Sequence, residues 1–367
     1  MSRNFHQKPF DDGTRIKLGL FRDYTKAWLP VWLSQARPGM LIIIADFFAG
    51  PGKDSDGILG SPLIVLSELR QSTALIRRTG ARVRLLLNEA AKTKATILRA
   101  TMDSQNIPPD LCTCDIQNLD FEEAFNSVYP ELRGGPNLLI LDQQGMKEVS
   151  DRVFNKILDL PRTDFLFFIA SSSIRRFESH PYFQKHIRIP RGAITSATFN
   201  DTHRAVTRYY RDLAMSKGRQ YFLGSFSIKK GSNIYGVIFG SGHPLGLEKF
   251  LRVCWRADPE RGEANFDIDQ DRIDSSAPHL FPDMDQPKKL TMFQRSARSK
   301  ILRGELRTDR DVYLETLQEG FLPSDGKAVL RELLKSKEVR VVGGQPRVSK
   351  VGYDDPRNLE VETDGSI

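Results

Sequence analysis

The residues whose types best suit chemistry occupy positions 40–52, which read MLIIIADFFAGPG. An apolar, β-branched run leads to Asp46 and then into a glycine-containing loop, a pattern typical of a buried strand that turns sharply. The loop carries Phe48, Ala49, Gly50, Pro51 and Gly52. Glycine lets the backbone approach a ligand because it has no Cβ, and the first strand of an open α/β sheet ends where nucleotide-like cofactors bind. An acid before this loop suits a cofactor with a cationic amino-acid end, such as S-adenosylmethionine; a tight turn in a non-binding α/β protein is the alternative.

Strand and helix patterns alternate along the first half of the chain. Apolar runs predict strands at 41–47, 82–87, 111–116, 137–141 and 164–170, with helical spacing between them. Five such units imply a parallel, doubly wound sheet with right-handed crossovers. Residues 221–229 and 233–239 then flank Lys230-Gly231-Ser232, which predicts a hairpin. A helix is also predicted over 16–32, with Tyr24, Trp28 and Trp32 packed against the sheet edge.

Residues 24–69 carry a family resemblance. They contain an aromatic-rich W-L-P helix, a strand ending in D-x-F-A-G-P-G, and G-S-P-L at the start of a helix. In this order the blocks resemble the N-terminal signature of the three-Cys-motif partner protein family. The resemblance implies a class I S-adenosylmethionine-dependent methyltransferase-like Rossmann fold, whose sheet ends in an antiparallel hairpin. It also implies a partner protein that resembles a radical-type, iron–sulfur enzyme, and a mobile-element or phage-defence context.

Two further acids extend the cofactor site that the resemblance implies. In this fold an acid that ends strand two accepts hydrogen bonds from the ribose hydroxyls, and Glu89 holds that position. The alternative for Glu89 is an acid that stabilises a helix N-terminus through the dipole. An acid after strand three often meets the adenine amino group. Asp115 is the candidate, with Asp120 as a near competitor.

The expected catalytic position follows strand four, where the sequence reads Asp142-Gln143-Gln144-Gly145. Amino methyltransferases that act on bases usually carry [N/D]-P-P-[Y/F/W] here, and the aromatic stacks on a base taken out of the helix. The family that the chain resembles typically carries D-P-[FY]-G. Asp142 and Gly145 match, whereas the proline and the aromatic do not. Asp142, Gln143 and Gln144 are therefore the candidate substrate residues, and methylation of adenine or cytosine amino groups is in doubt.

The C-terminal third predicts a nucleic-acid-binding domain. Helices at 311–318 and 327–335, followed by a hairpin at 339–342 and 347–351, form a winged-helix pattern. Phosphate contacts need Lys and Arg. Lys327, Arg331 and Lys335 repeat at four-residue spacing and share one helical face, and Arg340 and Arg347 are predicted on the wing. A winged helix used for protein contacts is the alternative.

Composition sets the domain organisation and the protein class. A chain of 367 residues suits two domains, and its net charge of +8 favours an anionic partner, nucleic acid first. The predicted organisation is a Rossmann domain with an N-terminal helical extension (1–285), a basic connector (286–310), a winged-helix-like domain (311–353) and an acidic, disordered tail (354–367).

Other patterns exclude several classes of protein. Three cysteines without paired spacing argue against a disulfide framework and for a reducing compartment. The polar N-terminus and the short apolar runs predict a soluble, cytoplasmic protein. Asp267, Asp269 and Asp271 alternate as on one strand face, but no metal-site spacing accompanies them, so no metal is predicted.

Two functions stay open at this point. The first is an S-adenosylmethionine-dependent methyltransferase acting on nucleic acid, which would work largely by positioning the acceptor. The second is a catalytically inactive methyltransferase-fold protein that serves as a partner or scaffold for a radical-type enzyme. The missing proline and aromatic after Asp142 favour the second, and the intact loop at 46–52 favours the first. Fold alone does not decide between them.

Overall fold

A computed structural model describes residues 9–143, 148–218, 220–272 and 287–362. The chain divides into two compact units, Met1–Gly242 and His243–Ile367. The domain boundary predicted at residue 285 falls inside the second unit.

A seven-stranded sheet forms the centre of the first unit, with the strand order β3-β2-β1-β4-β5-β7-β6. Strands β1 to β5 are parallel, and β7 pairs antiparallel with both β5 and β6. Chain order reverses between β1 and β4, which makes that position the topological switch point where α/β sheets bind ligands. The strands are β1 (Leu41–Asp46), β2 (Arg82–Asn88), β3 (Thr113–Gln117), β4 (Asn137–Leu141), β5 (Thr163–Ile169), β6 (Phe222–Lys230) and β7 (Asn233–Ser241). The predicted fold class, a doubly wound sheet with a terminal antiparallel hairpin, is confirmed.

Helices cover both faces of this sheet, so its central strands are buried on both sides and read as continuous apolar runs. One face carries a large aromatic core in which Phe125, Phe154, Phe165 and Tyr210 are buried. The helices of the first unit are α1 (Asp12–Ser34), α2 (Ser61–Gln71), α3 (Thr73–Thr79), α4 (Lys92–Asp103), α5 (Phe121–Leu132), α6 (Asp151–Leu158), α7 (Ser171–Phe177), α8 (Pro181–Gln184) and α9 (Thr202–Met215).

The N-terminal helix α1 begins earlier than its apolar pattern suggested, because Asp11 caps it by accepting a hydrogen bond from the Thr14 N–H at 2.9 Å. It also runs through Pro30, where a kink or an end was predicted. Tyr24 packs on Phe239 of β7 and donates its hydroxyl proton to Asp164 of β5 at 2.5 Å. Tyr24 therefore belongs to the core over these strands.

The second unit is mostly helical. Its elements are α10 (Pro244–Ala257), α11 (Lys288–Leu302), α12 (Asp309–Gln318), α13 (Pro323–Lys335), β8 (Val339–Val341), α14 (Lys350–Asp354) and β9 (Leu359–Val361). Thr308 and Asp311 form a capping box at the start of α12. Gly326 lets α13 approach α12, because a Cβ at this position would lie 2.1 Å from the Thr316 Oγ1.

The basic connector predicted at 286–310 as a linker or a connecting helix contains a helix, α11, whose buried residues are Phe293, Ala297 and Ile301. Two other details of the second unit differ from the sequence predictions. The wing strand β8 pairs with β9 and not with residues 347–351, where α14 begins instead. The tail predicted as disordered therefore contains an ordered strand, and its residues 363–367 lie outside the described part. A three-residue strand is too short to show a periodic pattern.

Gly236 provides a test of the packing between β7 and α9. A Cβ here would lie 2.2 Å from the Nε2 of His203, a fully buried ring held by the Ser171 hydroxyl at 2.7 Å. We expect Gly236→Ala to lower the free energy of unfolding by about 2 kcal/mol, the usual range for overpacking. Gly19→Ala is the control, because nothing lies within 4 Å of its Cβ position in α1. Urea unfolding compares the two, and equal midpoints would contradict this packing.

Candidate functional site

Asp46 ends β1 at the switch point and is fully buried. Its Oδ1 accepts a hydrogen bond from the Phe48 N–H at 3.1 Å. Its Oδ2 has no hydrogen-bond partner among the described residues. A buried carboxylate oxygen without a donor is costly, so Asp46 is suited to receive a donor from a ligand.

Burial is the largest influence on Asp46 and raises the pKa of its carboxyl from 3.8 to about 7. The neighbouring Asp142 raises this pKa further, whereas Ser61, the Phe48 N–H and Lys17 lower it. Asp46 therefore changes charge near neutral pH. A cationic group placed beside it would favour the ionised form.

The loop after Asp46 folds tightly against the end of β2. Gly50 and Gly52 take positive φ angles of 61° and 94°, which favour glycine. The Gly50 N–H donates to the Glu89 Oε2 at 3.1 Å, and the other oxygen of Glu89 accepts from the Ala91 N–H at 2.9 Å. Glu89 is half-buried. The structure thus brings the predicted loop and the predicted acid of strand two together.

The other predicted loop residues support this arrangement. Phe48 stacks on Phe121 with ring centroids 5.0 Å apart. The Pro51 carbonyl accepts from the Thr101 hydroxyl at 3.2 Å. Ala49 is buried, and its N–H donates to the Asn88 carbonyl at 2.9 Å.

Asn88 is a site residue that the sequence analysis missed. Its Nδ2 donates to the carbonyls of Phe47 and Leu119, and its Oδ1 accepts from the Leu119 N–H at 3.1 Å. Asn118 adds bonds from its Nδ2 to the carbonyls of Glu89 and Ala90. These two amides tie together the loops after β1, β2 and β3. A polar residue at the end of an apolar strand, as in LLLN, is the signal that could have indicated Asn88.

Asp115 lies within β3 and not after it, with Leu86 of β2 as its register partner. Its carboxylate forms an ion pair with Arg84 at 2.5 Å, and Arg84 also pairs with Glu131. The predicted strand ended one residue too early, because Gln117 continues β3 despite its polar side chain. The position after β3 is occupied by Asn118 and Leu119.

Asp142 directly follows β4 and forms an ion pair with Lys17 of α1 at 2.5 Å. The side chains are only 18% and 10% exposed, so the pair is largely removed from water. The Lys17 Nζ also lies 4.6 Å from the centroid of the Phe168 ring. Lys17 is therefore the cation that faces the two carboxylates, Asp46 and Asp142.

Sequence reasoning missed Lys17, although a signal was present. Lys17 shares the helical stripe of Phe21, Tyr24 and Trp28, which are all buried. A charged residue on an apolar helix face is unusual unless it is paired. Its partner lies 125 positions away in the sequence, so the pairing required the fold.

The structure describes the first of the two predicted glutamines, Gln143, and not the second, Gln144. Gln143 is 2% exposed, and its Oε1 accepts from the Val149 N–H at 3.2 Å. Its predicted contact with substrate stays a prediction. Gln144 lies outside the described residues.

The basic residues predicted to bind nucleic acid fall into two groups. Lys327, Arg331 and Lys335 are exposed on α13 and have no ion-pair partner within the described ranges. Arg340 on β8 pairs instead with Glu360 and Glu362 of the opposite strand region. Arg347 pairs with Asp355 at 2.7 Å and does not lie on the wing strand. Of the five predicted residues, the three on α13 are the ones without an ion-pair partner in the described part of the chain.

The alternating acids near residue 270 do not lie on a strand. Asp267 and Asp271 both form ion pairs with Arg261, whose side chain is 4% exposed. Across the described parts of the chain, no cluster of three His, Cys, Asp or Glu side chains could hold a metal ion. No helix in those parts is long and apolar enough to span a bilayer.

Comparison with known proteins gives limited similarity. A family model described as a GMT-like wHTH domain matches residues 265–344, and the C-terminal unit thus contains a winged helix-turn-helix domain. Solved structures that match include the methyltransferase domains of bacterial CtHen1-C and CtHen1-CN. The first is 8% identical and its match covers 61% of this chain; the second is 10% identical and its match covers 60%. Both matches cover the whole of the solved chain and have a TM-score of 0.30. A likeness at this level carries no argument about activity. No curated protein matches the chain.

The raised pKa of Asp46 predicts a pH-dependent stability. The folded protein favours the protonated carboxyl of Asp46. The contribution of this carboxyl to the free energy of unfolding is therefore fully present below pH 4 and is lost as pH rises through about 7. Asp46→Asn removes this dependence. We expect the free energy of unfolding of the variant to rise relative to that of the wild type between pH 4 and 8, by up to about 4 kcal/mol, because the pKa of Asp46 is raised from 3.8 to about 7.

Urea unfolding at several pH values without cofactor measures this difference. The exposed Asp110, which pairs with Arg77 at 2.7 Å, supplies the control Asp110→Asn. A constant difference between Asp46→Asn and the wild type across this pH range would contradict the account.

Proposed function

We propose that this chain is an S-adenosylmethionine-dependent methyltransferase that acts on nucleic acid. The observation that carries the proposal is the meeting of Asp46, its glycine loop and Glu89 beside Asp142 at the switch point of the sheet. The winged helix-turn-helix domain with its unpaired basic helix face supports nucleic acid as the substrate class.

The residues at the end of β1 fit the amino-acid end of this cofactor. The unpartnered Oδ2 of Asp46 would accept a hydrogen bond from the cationic amino group, and that cation would favour the ionised carboxylate. Gly50 and Gly52 allow the positive φ angles that this loop needs. Lys17 is the nearby cation for a carboxylate.

Glu89 would receive the ribose hydroxyls, since it is half-buried at the end of β2 and already held against the loop. Asp115 is part of the predicted set for the adenine amino group, but its carboxylate would first have to leave Arg84. Asn118 and Leu119 are better placed for the adenine edge, because they form the loop after β3. When bound, the cofactor supplies an electrophilic methyl group on its sulfonium.

Asp142 is the candidate acceptor-side residue. Lys17 holds its Oδ2, and its Oδ1 has no hydrogen bond to any described residue, so this oxygen would orient a donor group of the methyl acceptor. Methyl transfer depends largely on aligning the acceptor with the methyl group. Gln143 would act by fixing the loop that carries Asp142, and Gln144 completes the predicted set.

A second candidate function rests on the same ion pair. If the ion pair between Lys17 and Asp142 is permanent, Asp142 cannot contact a methyl acceptor. The missing proline and aromatic after Asp142 agree with such a loss. The chain would then be an inactive partner or scaffold for a radical-type iron–sulfur enzyme, as the resemblance to the three-Cys-motif partner family suggests. That resemblance is also the basis for a phage-defence or mobile-element context.

Methyl transfer from radiolabelled S-adenosylmethionine separates these functions. We expect label in DNA or RNA, and we expect Asp142→Asn to reduce transfer by about 100-fold, the lower range for a positioned polar group in a reaction. Cofactor affinity should change by less than about threefold in this variant. Asp110→Asn breaks a surface ion pair and is the matched control.

Cofactor binding without transfer to any nucleic acid would favour the scaffold function. Unchanged methyl transfer by the Asp142→Asn variant would contradict the role of Asp142 but not the methyltransferase activity.

The basic face of α13 predicts a salt-dependent interaction with duplex DNA. Replacing Lys327, Arg331 and Lys335 by Ala should weaken binding and lower the slope of log K against log salt concentration by about 2–3, since each phosphate contact contributes about 0.9. Fluorescence anisotropy with a labelled duplex measures both. Arg340→Ala should have a smaller effect, because Arg340 is paired with Glu360 and Glu362. An equal slope in the triple variant and the wild type would assign this domain to protein contacts.

A further inference from the structure

A groove of about 1420 Å³ lies in the first unit, beside the cofactor loop. Its walls come from the beginnings of α5 and α6, from residues 182–193, and from α9. Pockets for small ligands usually enclose roughly 300–1,000 Å³. The groove is therefore larger than a single small ligand needs, and it suits an extended one.

The groove is continuous with the candidate site. Phe121 lines it and also stacks on Phe48 of the cofactor loop, with ring centroids 5.0 Å apart. Glu148 and Ser150, which precede α6, also line the groove. A ligand in the groove would therefore lie next to the position of the methyl acceptor.

The groove is lined by charged side chains of both signs. Four exposed lining cations have no ion-pair partner within the described residues, namely Lys185, Arg188, Arg208 and Lys217. Three lining acids, Asp120, Asp151 and Asp212, also have no ion-pair partner in those ranges.

Two of the lining acids have partners within the protein. Glu122 pairs with Arg152. The Asp151 Oδ2 accepts from the Tyr209 hydroxyl at 2.7 Å and from the Arg188 N–H at 2.8 Å, and its carboxylate keeps its charge. The four exposed cations can each contact one charge of an anionic ligand.

An aromatic side chain stands among these cations. Tyr182 is 52% exposed, and its ring centroid lies 5.2 Å from that of His186, which also lines the groove. Cations that follow a backbone, together with aromatic rings on which bases stack, are the features that bind single-stranded nucleic acid. A duplex keeps its base faces covered, so it could not use Tyr182 in this way.

We infer that this groove binds a single-stranded segment of the polynucleotide that contains the methyl acceptor. The inference rests on the proposed function, since it names the form in which nucleic acid reaches the site. Arg188 and Arg208 contact phosphates, and Tyr182 stacks on a base. The α13 face then serves duplex regions, and the groove serves the unpaired strand.

The test uses the full chain in a Lys327→Ala/Arg331→Ala/Lys335→Ala background, so that α13 does not dominate binding. Fluorescence anisotropy is measured with labelled 12-nucleotide single-stranded DNA and RNA and with the matching duplexes. We expect Arg188→Gln/Arg208→Gln to weaken single-strand binding about tenfold and to lower its salt slope by about 1.4, at about 0.7 per contact. The logarithm of the dissociation constant for the duplexes should change by less than half as much as that for the single strands.

Arg37→Gln/Arg82→Gln is the matched control, because it removes the same charge from two exposed arginines outside the groove. A second pair of variants tests stacking. Tyr182→Ala should weaken single-strand binding, and Tyr182→Phe should retain it. Equal effects of the two double-arginine variants, or equal losses for single strand and duplex, would overturn the inference.

These outcomes are separable from a failure of the proposed function. If the wild type binds no nucleic acid of any kind, the proposed substrate class fails and the inference fails with it. If the wild type transfers methyl groups to nucleic acid while the groove variants behave like the control, only the inference fails.

Discussion

Two carboxylates and one lysine meet at the switch point of the sheet, and the site depends on how their charges balance. Asp46 and Asp142 end neighbouring strands, β1 and β4, so the parallel register brings them to the same edge. Two anions in a buried position destabilise each other. Lys17 compensates Asp142 directly, while Asp46 is left with a pKa of about 7 and an oxygen that has no donor among the described residues. A structural turn alone would not need this unsatisfied acid, whereas a cationic ligand would complete it.

The surrounding polar groups hold the loops that define this edge. Asn88 and Asn118 fasten the loops after β1, β2 and β3 to one another, and Gln143 accepts a hydrogen bond from the Val149 N–H. Each of these amides bonds to backbone atoms, so the loops after β1, β2 and β3 are set before any ligand arrives. The groove beyond Phe121 then extends the same edge away from the cofactor loop and is lined by Lys185, Arg188, Arg208 and Lys217. Cofactor and acceptor would thus approach Asp142 from different directions.

Sequence predicted those parts of the structure that local pattern determines. The strand-to-loop turn at 46–52, the acid Glu89 after β2 and the exposed stripe of Lys327, Arg331 and Lys335 follow from the periodicity of their own elements. Residues whose roles depend on distant partners were not predictable. Lys17 needs the fold to reach Asp142, Asp115 is held by Arg84 of the neighbouring strand, and the wing strand β9 is too short to recognise. Arg340 and Arg347 were counted as free because their partners, Glu360 and Asp355, lie in a tail predicted to be disordered.

The most direct test of a cofactor pocket around Asp46 is a calorimetric titration of the full chain with S-adenosylmethionine and S-adenosylhomocysteine. Gly50→Arg is titrated in parallel, since Gly50 has a φ of 61° and its N–H contacts Glu89; circular dichroism checks that the variant is folded. We expect binding with a dissociation constant on the order of micromolar that is lost in the folded variant. No heat of binding for either ligand at millimolar concentration would contradict it and would leave the scaffold function in its place.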